Sequence, residues 1–208
     1  MKRALLFLCA LAGCGGLQNE PFTRGEITGR LVNADSQAVV SIIGQPEFTV
    51  RPDAAGAFKL DDVPAGDVEL FIVVNSTHAQ RQQVTVNGGS VSQLGALEGS
   101  AAAFLTVEYE GPEFLHLYEV SIELTGTPVP VAHTQEGERW VVPAGCYLVH
   151  GEARGLRPVE AELCVAEGED KFVELHPLPP DGTDGNEGCV VGDCDFGATC
   201  QSNGQCAL

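Results

Sequence analysis

The sequence predicts an all-β protein: two antiparallel β-sandwiches in tandem, followed by a small disulfide-stapled C-terminal segment. Three observations carry this. From Gly25 onward the chain falls into short runs with alternating apolar positions, such as "EITGRLV", "VELFIVV" and "RQQVTVN", with Gly, Asn, Asp or Pro at most joints. That alternation is the period of a strand with one face buried, and no stretch sustains the 3.6-residue period of a helix. Val63-Pro64-Ala65-Gly66 returns as Val142-Pro143-Ala144-Gly145, 79 residues later. Finally, the last twenty residues hold four cysteines and one large side chain, Phe196, so that segment needs staples rather than a core.

The elements follow in chain order. Lys2 and Arg3 precede a nine-residue apolar run, Ala4 to Ala12, far short of the ~20 residues that span a bilayer as a helix. A basic start, a short apolar core and small residues at its end read as an export signal. Leu11-Ala12-Gly13-Cys14 resembles the bacterial lipobox. That resemblance implies a signal peptide over 1–13, cleavage before Cys14 and a diacylglyceryl group on its thiol. Gly15, which is not Asp, implies sorting to the outer membrane. Cys9 fits less well, because Leu8 precedes it. The competing reading is an ordinary cleaved signal with Cys14 kept as a free thiol or disulfide partner. Residues 14–24 then form a lipidated tether.

Residues 25–99 form the first β-domain, with about seven strands expected in under eighty residues. Gly25-Glu-Ile-Thr-Gly29-Arg-Leu-Val, Asp53-Ala-Ala-Gly56-Ala-Phe58-Lys-Leu60 and Val63-Pro64-Ala65-Gly66 make it resemble the carboxypeptidase regulatory-like, or transthyretin-like, family. The resemblance implies an Ig-like β-sandwich that supports, displays or binds, and that is usually non-catalytic. On the residues alone, Gly56 permits positive φ in a hairpin turn, and Phe58 and Leu60 share one face as a core pair. The family's Gly-x-Pro before its second strand is Asp35-Ser36-Gln37 here, and its Tyr after the Pro-x-Gly turn is Val68.

Residues 100–178 form the second β-domain and repeat the first. At the same offset Val86 meets Val165, Gly89 meets Gly168 and Leu94 meets Val173. Before Val142 the letters lose register, so two unrelated β-domains sharing a turn remain the alternative. Tyr147 restores the tyrosine absent from the first copy. Cys146 follows the repeated turn and Cys164 lies in a later strand; on neighbouring strands they form a disulfide. Such a bridge is expected of an exported protein and is worth roughly 3 kcal/mol for a loop of this size. The first copy has Asp67 and Thr85 at those positions.

Residues 179–188, "PPDGTDGNEG", lack apolar content and read as a linker. In 189–208 the spacing Cys-x4-Cys-x5-Cys-x5-Cys allows three connectivities. The segment resembles the cysteine-rich knots that end myxobacterial lipoproteins, a likeness that favours Cys189–Cys200 and Cys194–Cys206. A zinc site is the competing reading, against which stands the absence of CxxC knuckles.

Composition narrows the function. With 29 acidic against 11 basic residues, the chain is a poor partner for nucleic acid, whose phosphates need Lys and Arg. It is equally unsuited to electrostatic attachment to anionic lipid. His116-Leu-Tyr-Glu119 matches the HxxE of metallocarboxypeptidase zinc sites, but residues three apart in a strand face opposite sides. Asp181, Asp184 and Glu187 lack the spacing of a calcium loop, and no GxSxG elbow assembles a nucleophile. No catalytic residue, metal or cofactor is expected. The expectation is a non-enzymatic, membrane-anchored lipoprotein of the cell envelope, periplasmic or surface-facing, that binds or assembles with a protein partner. The alternative is a carbohydrate- or peptidoglycan-binding module using Trp140 and Tyr147. That reading requires these two and Tyr109 to face solvent together, whereas Trp140 reads more simply as core.

Overall fold

A computed structural model describes residues 23–109, 120–133, 138–153 and 156–176, with 199–200 and 206–207 described in backbone alone. Every regular element among them is a β-strand.

The first unit contains β1 (Arg24–Leu31), β2 (Val39–Ile42), β3 (Gln45–Val50), β4 (Ala57–Pro64), β5 (Gly66–Asn75), β6 (His78–Val86) and β7 (Val91–Leu97), with β8 (Ser100–Ala101) leading out of it. These strands form a sheet β4-β1-β7 and a sheet β3-β2-β5-β6-β8. Alternation places Ile27, Leu31, Phe58 and Leu60 of the first sheet against Val40, Ile42, Leu70, Ile72 and Val74 of the second, all buried in one cluster. Phe58 and Leu60 form the core pair their spacing predicts. Between Leu60 and Val63, Asp61 and Asp62 break the alternation. The β1–β4 register shifts there, and Asp62 takes φ 57°, as the extra residue of a bulge does. Gly56 has φ 80° in the turn between β3 and β4, as a tight turn requires. Those strands lie in different sheets, so the turn crosses from one sheet to the other and is not the hairpin expected from the sequence.

The second unit contains β9 (Ala103–Tyr109), β10 (Val120–Leu124), β11 (Arg139–Val142), β12 (Gly145–Ala153), β13 (Val159–Val165) and β14 (Asp170–Leu175). They form sheets β11-β9-β14 and β10-β12-β13. Leu105, Val107, Tyr109, Trp140 and Val142 share a cluster with Ile122, Leu124, Tyr147, Val149 and Leu163. Alternation is complete in β9 and in β13, where every second residue is buried.

The strand order of the first unit returns in the second. In the sheets β4-β1-β7 and β11-β9-β14 the central strand pairs antiparallel with the strand before the Val-Pro-Ala-Gly turn and parallel with the unit's last strand. The likeness of the two units in strand order therefore reaches into the half where the letters show none. β12 and β13 pair in the register of β5 and β6: Gly145↔Val165 answers Gly66↔Val86, 79 residues apart. Leu105 and Tyr109 answer Ile27 and Leu31 at 78 residues, so one residue's difference hides the first strand's match. The expectation of purely antiparallel sheets is corrected. β1–β7 and β9–β14 are parallel, because the first and last strands of each unit lie side by side and run the same way.

β15 (Thr199–Cys200) and β16 (Cys206–Ala207) pair antiparallel near the C-terminus, with Cys200 and Cys206 as backbone partners.

Candidate functional site

The most developed meeting of side chains lies where the two units join, and it begins in one strand. β5 reads Gly-Asp-Val-Glu-Leu-Phe-Ile-Val-Val-Asn, and its apolar run is uninterrupted after Glu69. A strand with one wet face alternates; one without alternation is covered on both sides. Leu70, Ile72 and Val74 enter the first unit's core. Phe71 and Val73 point the other way, into the cluster of the second unit, and Ala79 of β6 joins them. Burying such a phenylalanine and valine stabilises the junction by roughly 1.5–3 kcal/mol each.

β6 supplies the polar clamp at this junction. Arg81 is the register partner of Phe71. Its guanidinium lies over the Tyr147 ring, 4.5 Å from the centroid. One Nη donates to the Cys146 carbonyl oxygen at 2.8 Å, and the other reaches a Glu69 carboxylate oxygen at 3.4 Å. Gly145 makes room: a Cβ there would overlap the guanidinium, and φ is 148°. Tyr147 meets Phe71 edge-on, at 6.3 Å and 72°, and its hydroxyl donates to the Pro143 carbonyl at 2.6 Å. Burial pushes the Tyr147 hydroxyl above its ordinary pKa, with Arg81 opposing in part. A backbone bond from Gly44 N–H to the Gly126 carbonyl, 2.8 Å, joins the units a second time.

Beside the clamp is a groove of about 320 Å³ lined by Arg51, Phe71, Val73, Val129, Arg139 and Trp140. Both arginines are engaged. Arg51 donates to the Ser36 carbonyl; Arg139 pairs with Asp170 at 2.8 Å and covers the Phe104 ring at 3.7 Å. The groove suits an apolar side chain from a partner better than a charged ligand. A second cleft of about 420 Å³, lined by Arg24, Glu26, Asp61, Asp62 and Ser90, lies at the far end of the first unit. There Lys59 bridges Glu26 at 3.1 Å and Asp61 at 2.7 Å. Among the described residues no three His, Cys, Asp or Glu side chains gather as metal ligands.

The residues singled out in the sequence do not converge on one site. Cys146 and Cys164 are register partners and form a disulfide. At the matching pair in the first unit, Thr85 Oγ1 donates to Asp67 Oδ1 at 2.6 Å, a hydrogen bond where the second unit has a covalent one. Trp140, Tyr147 and Tyr109 are 5%, 4% and 1% exposed. This corrects the assignment of Trp140 and Tyr147 to ligand binding: their rings fill the core and the junction, and no shared aromatic platform is formed by these three. Cys14, His116, Glu119, Asp181, Asp184, Glu187, Cys189 and Cys194 lie outside the described residues. Of Cys200 and Cys206 only the backbone is described. Sequence reasoning missed Arg81. Its signal was available: a lone cation in β6, facing a strand with no wet side.

No family model matches this chain, and no curated protein does. Among solved structures it is similar to the Bacillus anthracis TIE protein, at 14% identity and a TM-score of 0.30, over 74% of this chain and 33% of that one. A leucine-rich repeat protein from Bacteroides thetaiotaomicron shares 10% identity at a TM-score of 0.22, over 72% of this chain and 26% of its own. The chain spans a third or less of the length of these two proteins, and likenesses this distant carry no argument about what it does.

Proposed function

We propose that this protein is a non-enzymatic lipoprotein of the cell envelope, anchored to the outer membrane through Cys14, with a binding or assembly role. Its two units are tandem Ig-like, transthyretin-like β-sandwiches, and 189–208 is a disulfide-stapled knot. The Leu11-Ala12-Gly13-Cys14 sequence supports the anchor, and acyl chains contribute about 0.8 kcal/mol per buried methylene. The observation that carries the binding role is the shared junction. Phe71 and Val73 of the first unit lie in the second unit's core cluster, so two display modules stand as one body behind a tether. The carbohydrate alternative loses its support with the burial of Trp140 and Tyr147.

Cross-linking in intact cells, detergent extraction of membranes and identification of the adduct tests this reading. One dominant envelope protein as partner is the expected result. Hydrolytic activity lost on His116→Ala or Glu119→Ala contradicts it.

A further inference from the structure

The internal repeat singles out a second surface. The outward face of β5 and β6, with Glu69, Phe71, Val73 and Arg81, is where the second unit packs on the first. In β12 and β13 the corresponding positions, 79 residues on, are Leu148, His150, Glu152 and Glu160. The pairing register is the same, with His150↔Glu160 standing for Phe71↔Arg81. Among the described residues no third unit covers this face. Leu148 is 39% exposed in its middle, and the Glu160 side chain is 63% exposed.

We propose that this face of β10-β12-β13 docks a protein partner through that partner's lysines or arginines. β10, β12 and β13 carry Glu123, Glu152, Glu160 and Glu162 and contain neither Lys nor Arg. Register sets Glu123 and Glu160 on either side of His150, and Glu162 beside Leu148. Same-sign charges grouped on a sheet face oppose folding, and elsewhere this chain offsets them. Glu26 and Asp61 share Lys59, Glu69 has Arg81, and Asp170 has Arg139. On this face, among the described residues, the contact is His150 Nδ1 with a Glu160 carboxylate oxygen at 3.3 Å, an ion pair only when the imidazole carries a proton. Where the first unit supplies its own cation, Arg81, the second presents a carboxylate, so the cation of an equivalent junction must come from outside.

Charge also chooses the occupant. A second copy of this chain carries a net −18 and is repelled, as is an anionic lipid surface. The inference rests on the binding reading above but not on the anchor. It is tested on the purified chain, so its failure leaves the envelope cross-linking result standing.

The probe is the amidated peptide Lys-Val-Lys-Val-Lys, titrated into isotopically labelled protein and followed by amide chemical shifts at low ionic strength. The Glu-Val analogue serves as control. The expected result is saturable binding of the lysine peptide alone, with shifts concentrated in β10, β12 and β13. Glu152→Gln/Glu160→Gln/Glu162→Gln is expected to weaken it by roughly tenfold, since each substitution removes one charge pair with the peptide. The charge-matched Glu47→Gln/Glu98→Gln/Glu167→Gln, at exposed sites elsewhere, should change it by less than about twofold. Equal weakening by both triple variants, shifts spread over the whole acidic surface, absence of saturation, or self-association through this face each overturns the proposal.

Discussion

The Arg81 guanidinium of the first unit stacks on the Tyr147 ring of the second, 4.5 Å from its centroid, while donating to the neighbouring Cys146 carbonyl. One side chain thus satisfies an acceptor and covers a ring across the junction, in a half-buried setting where both count for more than at an open surface. Arg81→Ala should lower unfolding stability by about 1–3 kcal/mol. Arg81→Lys should recover only part of it, because an ammonium cannot stack and fork together. Urea unfolding of both variants, with Tyr147→Leu to close a double-mutant cycle, checks this. Additivity of the two losses would mean that the stack couples nothing.

The Cys146–Cys164 bridge and the Asp67–Thr85 hydrogen bond occupy the same register position in two hairpins, β12–β13 and β5–β6. Cys146→Ser/Cys164→Ser should lose about 3 kcal/mol for the 18-residue separation. The reverse transplant, Asp67→Cys/Thr85→Cys, should oxidise and stabilise the first unit, because its strands pair in the same register. Thiol counting and thermal unfolding with and without reductant measure both.

Much of this architecture was legible in the letters because alternation is a direct image of burial. Phe58 and Leu60, or the even spacing of "VEAELCV", announce which face is inside. The disulfide was legible because one cysteine directly follows the repeated turn and the other lies in a later strand. Three matters were not. The parallel pairing of β1 with β7 joins residues about 65 positions apart, such as Glu26 and Val91, and nothing local encodes strand direction. The junction was hidden because Phe71 and Val73 read as ordinary core residues; only their parity within β5 separates the two clusters they divide. The repeat's first half was masked by the shift from 79 to 78 residues together with unlike side chains such as Gly29 and Val107.

Gly44 and Gly56 share φ 80°, yet their surroundings differ. An added Cβ at Gly44 meets nothing within 4 Å, whereas at Gly56 it falls on the Leu31 carbonyl oxygen. Gly44→Ala should therefore cost about 1 kcal/mol, the backbone preference alone. Gly56→Ala should cost roughly 2–4 kcal/mol, because the β1–β4 pairing must also move. Chemical denaturation of the pair separates conformational strain from collision.

Tyr109 gives the fold an alkaline limit. Burial, with Glu152 nearby, pushes its hydroxyl up to about 12 from 10.0. The unfolded chain therefore releases this proton first. Stability is unaffected below pH 10 and falls as pH rises towards 12, as linkage requires when the unfolded state binds fewer protons. Tyr109→Phe should flatten that decline, leaving the smaller same-direction contribution of Tyr147. Unfolding midpoints across pH 9–12, approximately the range set by these shifts, show whether it does.

The proposal turns on whether the chain is anchored through Cys14, and the mass of its N-terminal peptide, isolated from fractionated cells of its native host, addresses that directly. A peptide that begins at Cys14 and carries the added mass of a diacylglyceryl group on Sγ is the predicted result. A chain released in soluble form, with Cys14 unmodified or paired in a disulfide, would contradict a lipid-anchored envelope protein.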